Sequence, residues 1–290
     1  MAQLKQFKYF TALALASLLA GAANGETLIV DSFESGDMSA TNEDGFDWGR
    51  NNRTSVVTAE GVVYSNGDKD IAIPSGRDWG PKDGNHSLRF RYPAGEPMAE
   101  QRFKLGKHYK DVWVTYWIRV PINFTQGSQN SKFLSLWPST YDRAGTVTWQ
   151  TRPNGSGGAN LVFQDGGVTS GEADSTSFIT VPDDRGRWMH VAAHIKASSG
   201  PTAKDGTIQF FRRWEGESSY TKIHEKLNAD TWDDSSEMQG ISQGYIMGWA
   251  NDPYDQNTEW LLDEFALHTQ SPIDNLAFSN KPNPPVLTLK

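Results

Sequence analysis

Hydrophobic and polar residues alternate with a period of two through most of the chain from residue 86 onward. Successive side chains of a strand point to opposite faces, so this period marks half-buried β-structure. It predicts strands over 87–92, 100–105, 112–120, 132–137, 147–152, 160–164, 188–196, 208–214, 245–250 and 260–268. Turn-forming runs separate them, such as Pro93-Ala94-Gly95, Gln126-Gly127-Ser128, Asn154-Gly155-Ser156-Gly157-Gly158, Asp183-Asp184-Arg185-Gly186 and Lys204-Asp205-Gly206. No eleven-residue window repeats at helical spacing, and 215–233 is where a short helix or long loop is expected. Many short strands at regular spacing predict an all-β sandwich or barrel. With no internal repeat or Pro/Ser linker, one domain is expected over 26–275, with an extended tail over 276–290.

Parity then assigns side chains to faces. Leu88, Phe90 and Tyr92 oppose Arg89 and Arg91, and Gln101, Phe103 and Leu105 oppose Glu100, Arg102 and Lys104. Val112, Val114, Tyr116, Ile118 and Val120 oppose Trp113, Thr115, Trp117 and Arg119. Strict alternation puts Lys132 with Leu134 and Leu136, against Phe133, Ser135 and Trp137. Met189, Val191, Ala193 and Ile195 oppose Trp188, His190, His194 and Lys196. The polar faces therefore combine Arg, Lys, His and Trp. Aromatic rings stack on the C–H faces of sugars, and guanidinium forks pair with carboxylates or sulfates. The pattern suggests a groove for an acidic saccharide. The alternative is ordinary outward residues whose long stems cover apolar surface.

Composition narrows this picture. The 290 residues include 11 tryptophans and no cysteine, which excludes disulfide scaffolds, thiolate metal sites and cysteine nucleophiles. The formal charge of −8 disfavours nucleic acid as a partner. Lys5 and Lys8 precede an apolar run over 10–23 and the small residues Ala20-Gly21-Ala22-Ala23, the pattern of a secretory signal over 1–25. Its removal would take the charge to about −10. The expectation is a secreted, extracellular or periplasmic monomer with no membrane association after cleavage.

The order of several segments carries a resemblance. Val30-Asp31-Ser32-Phe33-Glu34-Ser35-Gly36-Asp37 opens the exported part, and Lys110-Asp111-Val112-Trp113-Val114-Thr115-Tyr116-Trp117-Ile118-Arg119-Val120-Pro121 lies in the middle. Asn130-Ser131-Lys132-Phe133-Leu134-Ser135-Leu136-Trp137, Gly186-Arg187-Trp188-Met189-His190-Val191, Asp205-Gly206-Thr207-Ile208-Gln209 and Trp260-Leu261-Leu262-Asp263-Glu264-Phe265 follow. Over about residues 28–270 this resembles the concanavalin A-like lectin/glucanase jelly rolls. Within them it is most similar to secreted polysaccharide lyases of the heparin lyase I, alginate lyase and glucuronan lyase type. The resemblance implies a β-sandwich jelly roll of two antiparallel sheets with a concave groove.

It also implies cleavage of a uronic-acid polysaccharide by β-elimination. That reaction needs a base for the C5 proton, a group that neutralises the carboxylate, and an acid for the leaving oxygen. The strand of Glu100-Gln101-Arg102-Phe103-Lys104 is similar to the family's Arg-bearing strand, so Arg102 would neutralise the carboxylate; its alternative partner is Glu100 on the same face. Lys132 stands where the relatives carry Gln-x-His, which is missing here. The strand of Tyr245-Ile246-Met247-Gly248-Trp249 resembles the late Tyr strand without its Lys and second Tyr. His190 or His194 would then be the base and Tyr245 the acid. Arg89, Arg91, Trp117, Arg119, Trp137, Gln150 and Trp249 are the candidate substrate contacts, with an acidic polysaccharide or oligosaccharide as partner. Such jelly rolls often hold a structural calcium, for which Glu34, Asp37 and Asp263 supply hard oxygens; solvated turn acids are the alternative. A hydrolase is disfavoured, because Glu-x-Asp-x-x-Glu is absent and the adjacent Asp263 and Glu264 face opposite ways. A non-catalytic, lectin-like jelly roll and a structural surface protein are the competing readings.

Overall fold

The computed structural model describes residues 26–58, 80–141, 144–166 and 173–273. The leader expected over 1–25 and the tail expected over 276–290 lie outside the described residues. Among the described residues fifteen strands run in chain order: β1 (Thr27–Asp31), β2 (Asp47–Asn52), β3 (Thr54–Thr58), β4 (His86–Tyr92), β5 (Met98–Tyr109), β6 (Asp111–Arg119), β7 (Ser131–Trp137), β8 (Val147–Pro153), β9 (Ala159–Asp165), β10 (Ala173–Ile179), β11 (Trp188–Lys196), β12 (Gly206–Trp214), β13 (Thr221–Ala229), β14 (Ile241–Trp249) and β15 (Thr258–His268). Among the described residues there is no helix.

The strands form two antiparallel sheets of a jelly-roll sandwich. Sheet A has the order β13-β12-β11-β6-β15-β4-β3, with β1 also paired to β15, and sheet B the order β10-β9-β8-β7-β14-β5-β2. The inward parity sets supply the layer between them. Leu88, Phe90 and Tyr92, Val112 to Ile118 at alternate positions, and Met189, Val191 and Ala193 come from sheet A. Phe103, Leu105, Leu136, Trp149, Leu161 and Phe163 come from sheet B. Phe133 meets Phe178, Phe210 and Trp260 edge-on across this layer. Each large apolar side chain removed from water here contributes about 1.5–3 kcal/mol before the entropy of ordering is subtracted.

Two stretches depart from strict alternation. The residues at 215–233 form no helix; they contain β13, a strand at the edge of sheet A. Its pairing with β12 slips at Phe210/Phe211, and Lys222, Glu225 and Lys226 sit along it, so the apolar period is lost. Charges on an edge strand also discourage pairing with another chain. In β7, the register with β8 shifts between Lys132 and Leu134. This bulge turns both Phe133 and Leu134 into the core and leaves Lys132 outward with Ser135 and Trp137, opposite to the alternation expected for Lys132 and Phe133.

The facing part of β14 bulges as well. Its pairing with β7 runs from Gln243–Trp137 to Ile246–Leu134 and resumes at the bridge Ser131–Ala250. Met247 and Gly248 there have positive φ, 59° and 144°. The backbone angle at Gly248 favours glycine, and a Cβ there would press on Lys132 Cβ at 3.1 Å. Tyr92 of sheet A reaches through the core to this point. Its hydroxyl lies 2.8 Å from Gly248 O and 2.9 Å from Ala99 O, and accepts the Gly248 N–H at 3.2 Å.

Candidate functional site

The outward face of sheet B gathers the chemistry. The registers place Arg102 of β5 opposite Tyr245 of β14, Tyr245 opposite Ser135 of β7, Ser135 opposite Thr148 of β8, and Thr148 opposite Gln164 of β9. Directly opposed residues share a face, so these five side chains form one row across the sheet. A neighbouring row holds Lys132, Gln150 and Val162. The four central strands β5, β14, β7 and β8 contain one carboxylate, Glu100.

Glu100 and Arg102 are two apart on β5 and therefore neighbours on this face, with Arg102 Nε donating to Glu100 Oε1 at 2.6 Å. The glutamate is buried, whereas the Arg102 side chain is 37% exposed. Its guanidinium lies over the Trp137 ring, 5.9 Å from the centroid. Trp137 is only 2% exposed, packed by Tyr141 at 5.4 Å and Tyr245 at 5.7 Å, so it supports the face rather than offering a stacking platform. Trp249, at the end of β14, is 49% exposed and does offer one. Gln150 is buried: it accepts from Asn130 Nδ2 and donates to Gln164 Oε1. Asn251 Nδ2 in turn donates to Asn130 Oδ1 at 2.6 Å, extending an amide chain towards one end of the sandwich.

Hydroxyls make a second chain. Thr148 Oγ1 and Ser135 Oγ are 2.7 Å apart, Ser135 bonds to the Tyr245 hydroxyl, and Tyr245 and Tyr141 share a hydrogen bond at 3.0 Å. Tyr245 is 2% exposed, and burial, with Tyr141 alongside, raises its phenol well above the ordinary value. Tyr141, in the loop after β7, is partly exposed.

His190, His194, Arg89, Arg91, Trp117 and Arg119 lie on the outward face of sheet A, across the whole core from Arg102 and Tyr245. The expected convergence of the histidines with Arg102 and Tyr245 is therefore corrected. Parity identifies an outward residue, but a sandwich has two outward surfaces. On sheet A most of these groups are held by neighbours, while the Arg91 side chain is 42% exposed. His194 stacks on Trp113 at 4.2 Å and bonds Gln209 Oε1 and Asp111 Oδ1, both at 2.8 Å. His190 bonds the Tyr220 hydroxyl and meets Trp117 edge-on. Burial first, then the charges of Arg213, His268 and Lys82, pull its pKa down to about 3, so its imidazole is neutral at neutral pH. Lys82 and Arg213 lie over Trp117 at 4.8 and 5.3 Å. Arg119 Nε donates to Gly186 O, and Arg89 and Arg91 flank the buried Glu259 at 3.7 and 4.0 Å.

The expected calcium ligands each accept hydrogen bonds from protein groups. Asp263 accepts from the backbone of Lys82, Asp83 and Glu264 and from Ser87 Oγ. Glu34 Oε1 accepts two backbone N–H groups, from Asn85 and His86, and Asp37 Oδ1 is bonded by Ser35 and Ser39. Among the described residues no three His, Cys, Asp or Glu side chains are grouped as metal ligands.

Sequence reasoning passed over Tyr141, Thr148 and Gln164. Thr148 and Gln164 sit on the correct parity of their strands and are found once the strand order is known. Tyr141 lies in a loop without periodicity, and no sequence signal marks it.

No protein-family model matches the chain, and no curated protein matches it. Among solved structures it is similar to the endo-beta-1,4-glucuronan lyase of the fungus Trichoderma reesei, at 14% identity and a TM-score of 0.45, over 77% of this chain and 91% of that one. An alginate lyase from Chlorella virus gives 11% identity and 0.41, over 65% and 86%. The binding domain of botulinum neurotoxin serotype C1 gives 10% and 0.46, over 85% of this chain and 49% of that one. These likenesses assign no activity to the chain.

Proposed function

We propose that the outward face of sheet B binds a uronic-acid polysaccharide and cleaves it by β-elimination. The observation that carries this reading is the register that sets the Arg102 guanidinium beside the Tyr245 phenol, with Tyr141 bonded to that phenol. Arg102 would pair with the sugar carboxylate and stabilise the negative charge that develops as the C5 proton leaves. To do so it turns from Glu100, which stays as the buried counter-charge that holds the arginine on the face when no glycan is present. A phenol of the tyrosine pair takes the C5 proton and returns a proton to the O4 leaving oxygen, while the C4–O4 bond breaks and the C4–C5 double bond forms. Lys132, outward beside Gln150, adds positive charge along the path of the polymer. A glycosidase needs two carboxylates flanking the bond; one glutamate on four strands does not supply them.

The test is to incubate the protein with alginate, glucuronan, heparin and pectate and follow the ultraviolet absorbance of the unsaturated uronate product. A rising trace with at least one polymer is expected; flat traces with all four exclude the lyase. A second reading, a non-catalytic carbohydrate-binding jelly roll, is favoured by one observation: Tyr245 is almost fully covered while Trp249 is open. Binding without turnover, lost in Trp249→Ala, would establish that reading instead.

A further inference from the structure

The phenol assigned by its strand is not the one that meets solvent. Tyr245 is 2% exposed and lies beneath Tyr141, which is partly exposed and bonded to it at 3.0 Å. Behind Tyr245, the hydroxyls of Ser135 and Thr148 continue the line and are fully buried. Ser135 Oγ also lies 3.3 Å from Val147 O of β8. The result is a string of four hydroxyls with one end in the sheet and the other at the surface.

A general acid or base must come within hydrogen-bond reach of the proton it moves. On this face Tyr141 is partly exposed, whereas Tyr245 is covered. The Tyr141 ring is held in place by two aromatic contacts, with Trp137 at 5.4 Å and Tyr245 at 5.5 Å. The same Trp137 carries the Arg102 guanidinium on its face, which brings the carboxylate-binding group and the outer phenol to one indole.

Resting on the lyase reading above, we propose that Tyr141 is the catalytic acid–base residue of the site and that Tyr245 is a positioning residue whose hydroxyl orients the Tyr141 oxygen. In its deprotonated form Tyr141 receives a hydrogen bond from Tyr245, which in turn is aligned by Ser135. The C5 proton of the uronate passes to the Tyr141 oxygen, and the C5–H electron pair becomes the C4–C5 double bond. The C4–O4 electrons leave with O4, which takes the same proton back from Tyr141. Atoms and charge balance without a co-reactant, and the phenolate is regenerated.

The two phenols are separated by removing one oxygen at a time. Full-length wild type, Tyr141→Phe and Tyr245→Phe are compared on alginate, glucuronan, heparin and pectate, with pH–rate profiles and thermal melts. Tyr141→Phe is expected to lose about 10³-fold or more in kcat. Tyr245→Phe is expected to lose about 10- to 100-fold and to move the rising limb of the profile up by about one pH unit, because the outer phenolate has lost its donor. Ser135→Ala is expected to shift the same limb by less. Abolished turnover in Tyr245→Phe together with near-wild-type rates in Tyr141→Phe would overturn the proposal and leave the lyase reading intact. Equal losses in both with no pH shift would overturn it too. No turnover by wild type on any polymer would overturn both.

Discussion

The two outward surfaces of the sandwich carry similar residue types in different states. On sheet A, tryptophan, histidine and arginine side chains are bonded to one another: His194 lies between Trp113, Asp111 and Gln209, and Lys82 and Arg213 cover Trp117. On sheet B, Arg102 pairs with Glu100, lies over Trp137 and remains over a third exposed, and Trp249 is open. Residue type alone therefore does not distinguish the face proposed to bind a glycan from the other. The difference lies in particular positions, such as the open Trp249 on sheet B against the covered Trp117 on sheet A.

That contrast can be broken or sharpened by measurement. The largest effect is expected where both faces depend on the same layer. Trp260, fully buried and packed against Phe124 and Phe133, supports both sheets; Trp260→Ala should cost about 4 kcal/mol of unfolding free energy in urea titrations. Next comes Arg102→Ala, for which kcat/KM should fall about 10²- to 10³-fold with little change in melting temperature. The matching substitution on the other surface, Arg213→Ala, should leave turnover within about twofold.

The third prediction concerns acid. The His190 pKa is lowered to about 3 by burial, below the ordinary 6.5, so its neutral form is the one the fold accepts. The stability it contributes is present above pH 6.5 and is lost as pH falls towards 3. Between pH 6.5 and 5 wild type should lose about 2 kcal/mol more than His190→Gln, read from denaturation at each pH. The smallest effect is expected at Trp249. Its replacement by alanine should weaken binding of the polymer about tenfold by calorimetry without changing stability, whereas Trp117→Ala should change stability and not affinity.

Much of the architecture is legible in the residue pattern. The alternation at Val112, Val114, Tyr116 and Ile118 identifies the inner face of β6, and all four are buried. The site is less legible, for three physical reasons. Alternation says that His190 and Tyr245 both point outward, but the sheet to which each strand belongs depends on strand order, which is a long-range property. A bulge of one residue reverses the assignments on one side of it, as at Lys132 and Phe133. Tyr141 acts from a loop, where there is no period to read.

Tyr92 makes a last point about how such a molecule would respond to mutation. Its hydroxyl crosses from one sheet to fasten the backbone of β14 beside Lys132 and Tyr245. A saturation library scored by turnover alone would therefore rank position 92 among the active-site positions, although its side chain never approaches the polymer. Only a parallel screen for folded protein would separate the fastener from the tools it holds.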